Sequence, residues 1–94
     1  MHARLPADSR LRLGDLNRGQ RAEVVALDGQ AIATSLHPDE LERRLLEMGL
    51  SEGARIEIMH EGTFGRDPIA VRVNEHTVAL RRREACAVMV SPVA

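Results

Sequence analysis

Between Leu41 and Leu80 the spacing of apolar residues changes once, and that change fixes the kind of domain this chain can build. Leu41, Leu45 and Met48 recur at helical spacing and line one face. Gly49 follows directly, where a left-handed residue ends a helix without a Cβ penalty. From Ala54 onward the period is that of a strand. Ala54, Ile56 and Ile58 alternate with Arg55 and Glu57 over Ala54–Met59. In Ile69–Val73 the residues Ile69, Val71 and Val73 point one way, and in Thr77–Arg81 the inward pair is Val78 and Leu80.

The remaining segments extend this pattern. Arg21 to Leu27 reads as a first strand, because Val24 and Val25 are β-branched and Asp28-Gly29 closes the run with turn chemistry. Val24, Val25, Ala26 and Leu27 are consecutive apolar residues, which suits a strand covered on both faces. Gln30 to Leu36 fits either a loop or a longer hairpin. His37-Pro38-Asp39-Glu40 opens the helix, predicted over Asp39–Met48. Pro38 suits the first helical position, and the two acids favour the positive end of the helix dipole. Glu40–Arg44 and Arg43–Glu47 stand at i,i+4 spacing as candidate surface ion pairs. Glu61 to Asp67 reads as a long hairpin loop, and Asn74-Glu75 as a tight turn in which Asn tolerates positive φ. Arg82–Ala85 fits one helical turn, and Cys86–Val90 a closing strand. The expectation is a mainly β domain, a small partly open barrel of about five strands with one inserted helix. Its predicted core is Val24, Leu45, Ile56, Ile58, Ile69, Val71, Val73, Val78, Leu80 and Val88. Residues 1–12 read as a poorly ordered N-terminal arm, and 13–94 as the domain.

Composition removes whole classes of function. With 94 residues the chain makes one domain, which buries roughly 60–65% of its unfolded surface. Thirteen basic and fourteen acidic side chains leave a formal charge of −1, against the basic excess of a nucleic-acid binder. Phe64 is the single aromatic residue. Grooves for proline-rich peptides and stacking platforms for single strands both need several. No apolar run approaches the ~20 residues that span a bilayer, so no direct membrane insertion is expected. One cysteine makes no internal disulfide, which favours a reducing, cytoplasmic location.

The reactive side chains form no recognisable constellation. His2, His37, His60 and His76 show no HxH or HxxxH pairing, and no CxxC is present. They read as surface or rim residues, with His60 and His76 toward opposite ends of the sheet. His37 with Asp39 and Glu40 could hold an adventitious divalent cation, although helix capping suits them better. No cofactor is expected. Cys86 shares parity with Val88 and Val90 and reads as a buried, inert thiol, since nucleophilic use needs a base and an electropositive setting. Arg81, Arg82 and Arg83, with Arg43 and Arg44, read as a solvated face. No phosphate loop and no acid–base dyad are visible, so no enzymatic activity is expected.

Four elements in order carry a family resemblance. They are Arg18-Gly19-Gln20 before the first strand, Leu45-Leu46-Glu47-Met48-Gly49-Leu50 at the helix exit, Gly65 with Asp67-Pro68-Ile69, and Val78-Ala79-Leu80-Arg81. Together, from about Leu13 to Val90, they resemble the FeoA family of ferrous-iron-transport accessory proteins. The resemblance implies an SH3-like barrel with an inserted helix. It also implies a cytosolic, non-enzymatic accessory of the FeoB ferrous-iron transporter, a GTPase-linked membrane protein. Residues 1–12 and the 28–38 loop depart from the family pattern. The alternative is a metal-responsive module that binds a transition-metal ion, similar to the SH3-like domain of diphtheria-toxin-repressor-type regulators. That domain normally follows a DNA-binding region, for which 94 residues leave no room. The expected partner surface is the helix and its exit, with Arg43, Leu46, Glu47 and Leu50 projecting away from the Leu41–Leu45–Met48 stripe. A weak homo-oligomer stays open.

Overall fold

The computed structural model describes residues 11–31 and 37–93. Of the arm expected over residues 1–12, residues 1–10 lie outside the described residues, as do residues 32–36 of the ambiguous stretch from Gln30 to Leu36. Five strands form one antiparallel sheet: β1 (Arg21–Leu27), β2 (Arg55–Phe64), β3 (Asp67–Val73), β4 (His76–Leu80) and β5 (Val88–Pro92). Their spatial order is β4-β3-β2-β1-β5. Helix α1 (Pro38–Glu47) is inserted between β1 and β2, and the short helix α2 (Arg82–Ala85) links the two edge strands. Leu11 and Arg12 belong with this sheet. Arg12 bridges Met89, and the Val90 N–H donates to the Leu11 carbonyl at 3.0 Å.

Alternation puts one apolar face inward on every strand. Ile56 pairs with Val73, Ile58 with Val71, Val71 with Val78 and Ile69 with Leu80, so the inward rows meet in register. Val24, Ile56, Ile58, Ile69, Val71, Val73, Leu80, Val88 and Val90 are buried together with Leu41 and Leu45 of α1. Of the expected core, Val78 alone falls short. It lies on edge strand β4, is half buried, and packs against the cluster from its rim. Each fully buried Leu or Ile contributes about 1.5–3 kcal/mol relative to exposure. Leu13 and Leu16, from a 3₁₀ turn at Leu13–Asp15, also enter the core.

Two expectations about the strands are corrected. β1 is not covered on both faces: a bulge falls between Val24, opposite Val90, and Ala26, opposite Met89. The extra residue, Val25, is exposed, so the apolar run of β1 marks an irregularity. The loop expected from Glu61 to Asp67 is also mostly strand. β2 runs on to Phe64, and only Gly65 (φ 67°) and Arg66 (φ 59°) turn the chain into β3. Pairing survives the glycine at position 62 because the register shifts there, and the Asp67 backbone approaches Gly62 so closely that no Cβ fits.

Candidate functional site

Helix α1 is held at both ends by its own sequence. At the N-terminus the Nδ1 of His37 accepts from the Asp39 N–H at 3.2 Å, with Pro38 in the first turn. That bond occupies the ring nitrogen that faces the Asp39 carboxylate at 4.0 Å. At the C-terminus the Leu50 N–H donates to the Leu45 carbonyl at 3.0 Å, and the Gly49 N–H to that of Leu46 at 2.9 Å. This is the Schellman pattern, with Gly49 at φ 92°. His76 adds a side-chain partner, its Nε2 lying 2.9 Å from the Met48 carbonyl. A ring carrying its proton on Nε2 donates to that carbonyl, one of those the helix leaves unpaired. His60 sits apart on β2, opposite Ala70 of β3, and is exposed.

The outward face of α1 is where the expected partner residues fall, with one correction. Arg43, Leu46 and Glu47 are exposed, and Leu46 keeps half its surface in solvent (50%). Leu50 is fully buried at 0%. The Schellman geometry folds the residue after Gly49 back onto Leu45, so Leu50 joins the core and leaves the surface. The expected pairs Glu40–Arg44 and Arg43–Glu47 are not among the ion pairs of the described residues. Glu42, by contrast, is half buried, and its Oε2 accepts from the Gly29 N–H at 2.7 Å, tying α1 to the end of β1.

The arginine run divides sharply. Arg81 and Arg83 are exposed. Arg82 is not a solvated residue: its side chain is 15% exposed and reaches four acceptors. Nη1 donates to the carbonyls of Gly14 (2.9 Å) and Leu16 (2.8 Å), Nε to that of Arg66 (2.8 Å), and Nη2 to Glu61 Oε2 (2.6 Å). One guanidinium thereby joins the Leu13–Asp15 turn, the β2–β3 hairpin and α2. Cys86 follows α2 as its C-cap and lies outside β5, which starts at Val88, so strand parity does not set its orientation. It is half buried while Ala85 and Ala87 are fully buried. Burial, reinforced by Asp15, pushes its thiol above the ordinary range, against Arg12 and Arg82. Among the described residues no three of His, Cys, Asp and Glu come together in a way that could hold a metal ion.

Phe64 was missed as a surface feature. It is 88% exposed at the end of β2, the most exposed large apolar side chain among the described residues. Its position before Gly65 was the available signal, because an aromatic at a hairpin tip has little core to enter.

Comparison with known proteins fits this architecture. The FeoA domain family matches residues 11–92. The chain belongs to the FeoA family. A curated relative from Porphyromonas gingivalis, a fusion of Fe(2+) transport protein A with the Fe(2+) transporter FeoB, is 30% identical over 80 residues, or 85% of this chain. The chain spans only 8% of the length of that relative. The solution structure of FeoA from Chlorobium tepidum is 32% identical and covers 89% of this chain and 71% of its own, with a TM-score of 0.72. FeoA of Stenotrophomonas maltophilia, solved with zinc and described as a prokaryotic SH3-domain protein, is 28% identical. It covers 86% of this chain and 89% of its own at a TM-score of 0.69. The five-stranded order and the short helix before the last strand are accordingly an SH3-like fold, with α1 as the insertion.

Proposed function

We propose that this FeoA-family chain is a non-enzymatic accessory of ferrous-iron uptake that binds the cytosolic part of a FeoB-type transporter. The observation that carries the reading is the Porphyromonas gingivalis fusion, in which a unit like this one and the transporter share a single polypeptide. A covalent link raises the effective concentration of one module beside the other, which favours contacts that are weak between separate chains. The geometry supports a docking role. Among the described residues Arg82, His37 and His76 bond to the fold's own backbone, and His60 stands apart from them on β2.

The contact belongs on the outward face of α1, with Leu46 as an apolar anchor between the charged Arg43 and Glu47. These residues are exposed on a helix fixed at both ends, so little ordering is needed on binding. An interface of about 1,200 Å² or less suits a transient regulator. The test combines Arg43→Glu with Leu46→Ala in the full chain. The double variant should fold as the parent does, lose co-purification with detergent-solubilised transporter, and support less ferrous-iron uptake in a deletion strain. Full uptake and co-purification by the folded variant would show the surface to be wrong. Unchanged uptake after deletion of the whole gene would show the function to be wrong.

A further inference from the structure

A cleft on the opposite side of the sheet from the core gathers arginines that the fold itself does not use. It has a volume of about 230 Å³ and is lined by Arg21, Arg55, Ile56, Glu57, Arg72, Asn74 and Val93. The strand register explains the gathering. Arg21 of β1 and Arg72 of β3 both lie opposite Glu57 of β2, while Arg55 stands two residues before Glu57 on the same outward face. Arg21 and Arg72 are therefore about 9–10 Å apart, two strand spacings, and Arg55 is set back by about 7 Å along β2. All three arginines are exposed. The ion pairs among the described residues lie elsewhere, on His37–Asp39, Arg66–Glu61 and Arg82–Glu61.

The walls of the cleft are fixed by hydrogen bonds to the backbone of Arg55 and Arg21. The Asn74 N–H donates to the Arg55 carbonyl at 2.8 Å, and Asn74 Oδ1 accepts from the Arg55 N–H at 3.1 Å. At the other side the Val93 N–H donates to the Arg21 carbonyl at 3.1 Å. Three guanidiniums thus stand on a rigid frame around Glu57, with Glu23 of β1 opposite Arg55 on the same face.

We infer that this cleft is a docking site for an extended acidic peptide segment of a partner protein, with carboxylates at alternate positions. Charge complementarity selects the acid, because Arg21, Arg55 and Arg72 outnumber the carboxylates of Glu57 and Glu23 on this face. The central Glu57 selects the shape: it stands between Arg21 and Arg72, so a compact anion such as phosphate placed among the three arginines would meet a carboxylate. An extended segment instead places successive same-side side chains about 6.5–7 Å apart. That spacing lets two carboxylates reach different arginines on either side of Glu57, each as a planar guanidinium–carboxylate pair. The inference concerns a different face from α1 and does not depend on which protein carries the segment.

The test uses the full chain and a short fluorescent peptide with glutamates at alternate positions, alongside its glutamine analogue. The acidic peptide should bind and the analogue should not, and binding should weaken as salt rises. Arg21→Ala with Arg72→Ala should weaken binding by about tenfold or more, while Arg81→Ala with Arg83→Ala, on exposed arginines outside the cleft, should leave it unchanged. Glu57→Gln should tighten binding, a gain that a purely structural role for Glu57 does not produce. In the unmutated protein, amide resonances of Arg55 and Asn74 should shift on titration, a readout independent of variant folding. Equal binding of the glutamine analogue overturns the inference. So do equal losses in both arginine double variants, resonance shifts confined to another face, and displacement of the peptide by inorganic phosphate at equal concentration.

Discussion

Arg82 and Glu61 meet at 2.6 Å across 21 positions of sequence, and that bond closes the fold at the hairpin end of the sheet. Glu61 belongs to β2 and Arg82 opens α2, so the pair joins the middle of the sheet to the connection between its edges. The same guanidinium serves three carbonyls, two of them in the turn that delivers Leu13 and Leu16 to the core. Arg82→Ala should therefore destabilise the chain by about 2–3 kcal/mol, because a half-buried carboxylate and three carbonyls lose a charged donor together. Arg82→Lys should recover little of this, since an ammonium cannot reproduce the planar fork. Urea unfolding of both variants is the measurement, and a loss no larger than that of Arg81→Ala would contradict it.

The helix exit gives a second expectation. Gly49 sits at φ 92°, and a Cβ there would lie 3.1 Å from His76 Cε1, the ring that reaches the Met48 carbonyl. Gly49→Ala should destabilise by about 1–2 kcal/mol from backbone strain alone. It should also displace His76, visible as a shift of the His76 ring resonances. A neutral substitution with unmoved resonances would show that the exit is not strained.

Much of this was legible in the residues. Strand alternation located Ile56, Ile58, Ile69, Val71 and Val73 as core because a one-residue slip would send every one of them to solvent. Gly49 was legible because it follows a helical stripe. What stayed hidden has a common physical cause: local pattern does not encode long-range contact. Leu50 reads as a surface leucine until the Schellman turn is seen to fold it onto Leu45. Arg82 reads as one of three arginines until its acceptors, at positions 14, 16, 61 and 66, are brought to it. The arginine cleft was hidden for the same reason. Arg21, Arg55 and Arg72 are ordinary outward residues until register places them around Glu57. The bulge at Val25 was misread because a run of apolar residues looks the same whether both faces are covered or one residue is extruded.

Core truncations should rank by position in the sheet. Val71 lies on β3 between two paired strands and is fully buried, whereas Val78 faces it from edge strand β4 and is half buried. Val71→Ala should cost about 1–3 kcal/mol, and Val78→Ala clearly less. Equal losses in denaturant unfolding would mean that β4 is packed as tightly as the centre.

Cys86 should be slow to alkylate. Burial and the nearby Asp15 raise its thiol pKa, so at neutral pH the reactive thiolate is scarcer than in a free cysteine. Iodoacetamide labelling should lag behind that of a model thiol, and Asp15→Asn should speed it. The sign for stability follows. Above the ordinary thiol pKa, about 8.5, the unfolded chain releases this proton while the folded chain still holds it. Stability therefore falls as pH rises through that window. Cys86→Ser should flatten this alkaline fall, and an unchanged alkaline slope would remove Cys86 as its source.

The sharpest discrimination comes from two leucines separated by four positions. Leu46 and Leu50 flank the same turn, and both were expected at a partner surface. The backbone assigns them opposite fates. Leu46 faces solvent from the last turn of α1, while Leu50, after Gly49, is drawn under the helix by the bond from its N–H to the Leu45 carbonyl. Leu46→Ala removes apolar surface that the fold does not bury completely, so its stability cost should stay within about 1 kcal/mol. Leu50→Ala empties a site filled on all sides and should cost about 2–5 kcal/mol. Transporter co-purification should respond in the reverse order once only folded protein is compared. Leu46→Ala should reduce capture, and whatever folded Leu50→Ala survives should be captured normally. If the two substitutions destabilise alike, the burial assigned to Leu50 is wrong. If folded Leu50→Ala loses capture while Leu46→Ala keeps it, the docking face lies on the turn and not on the helix.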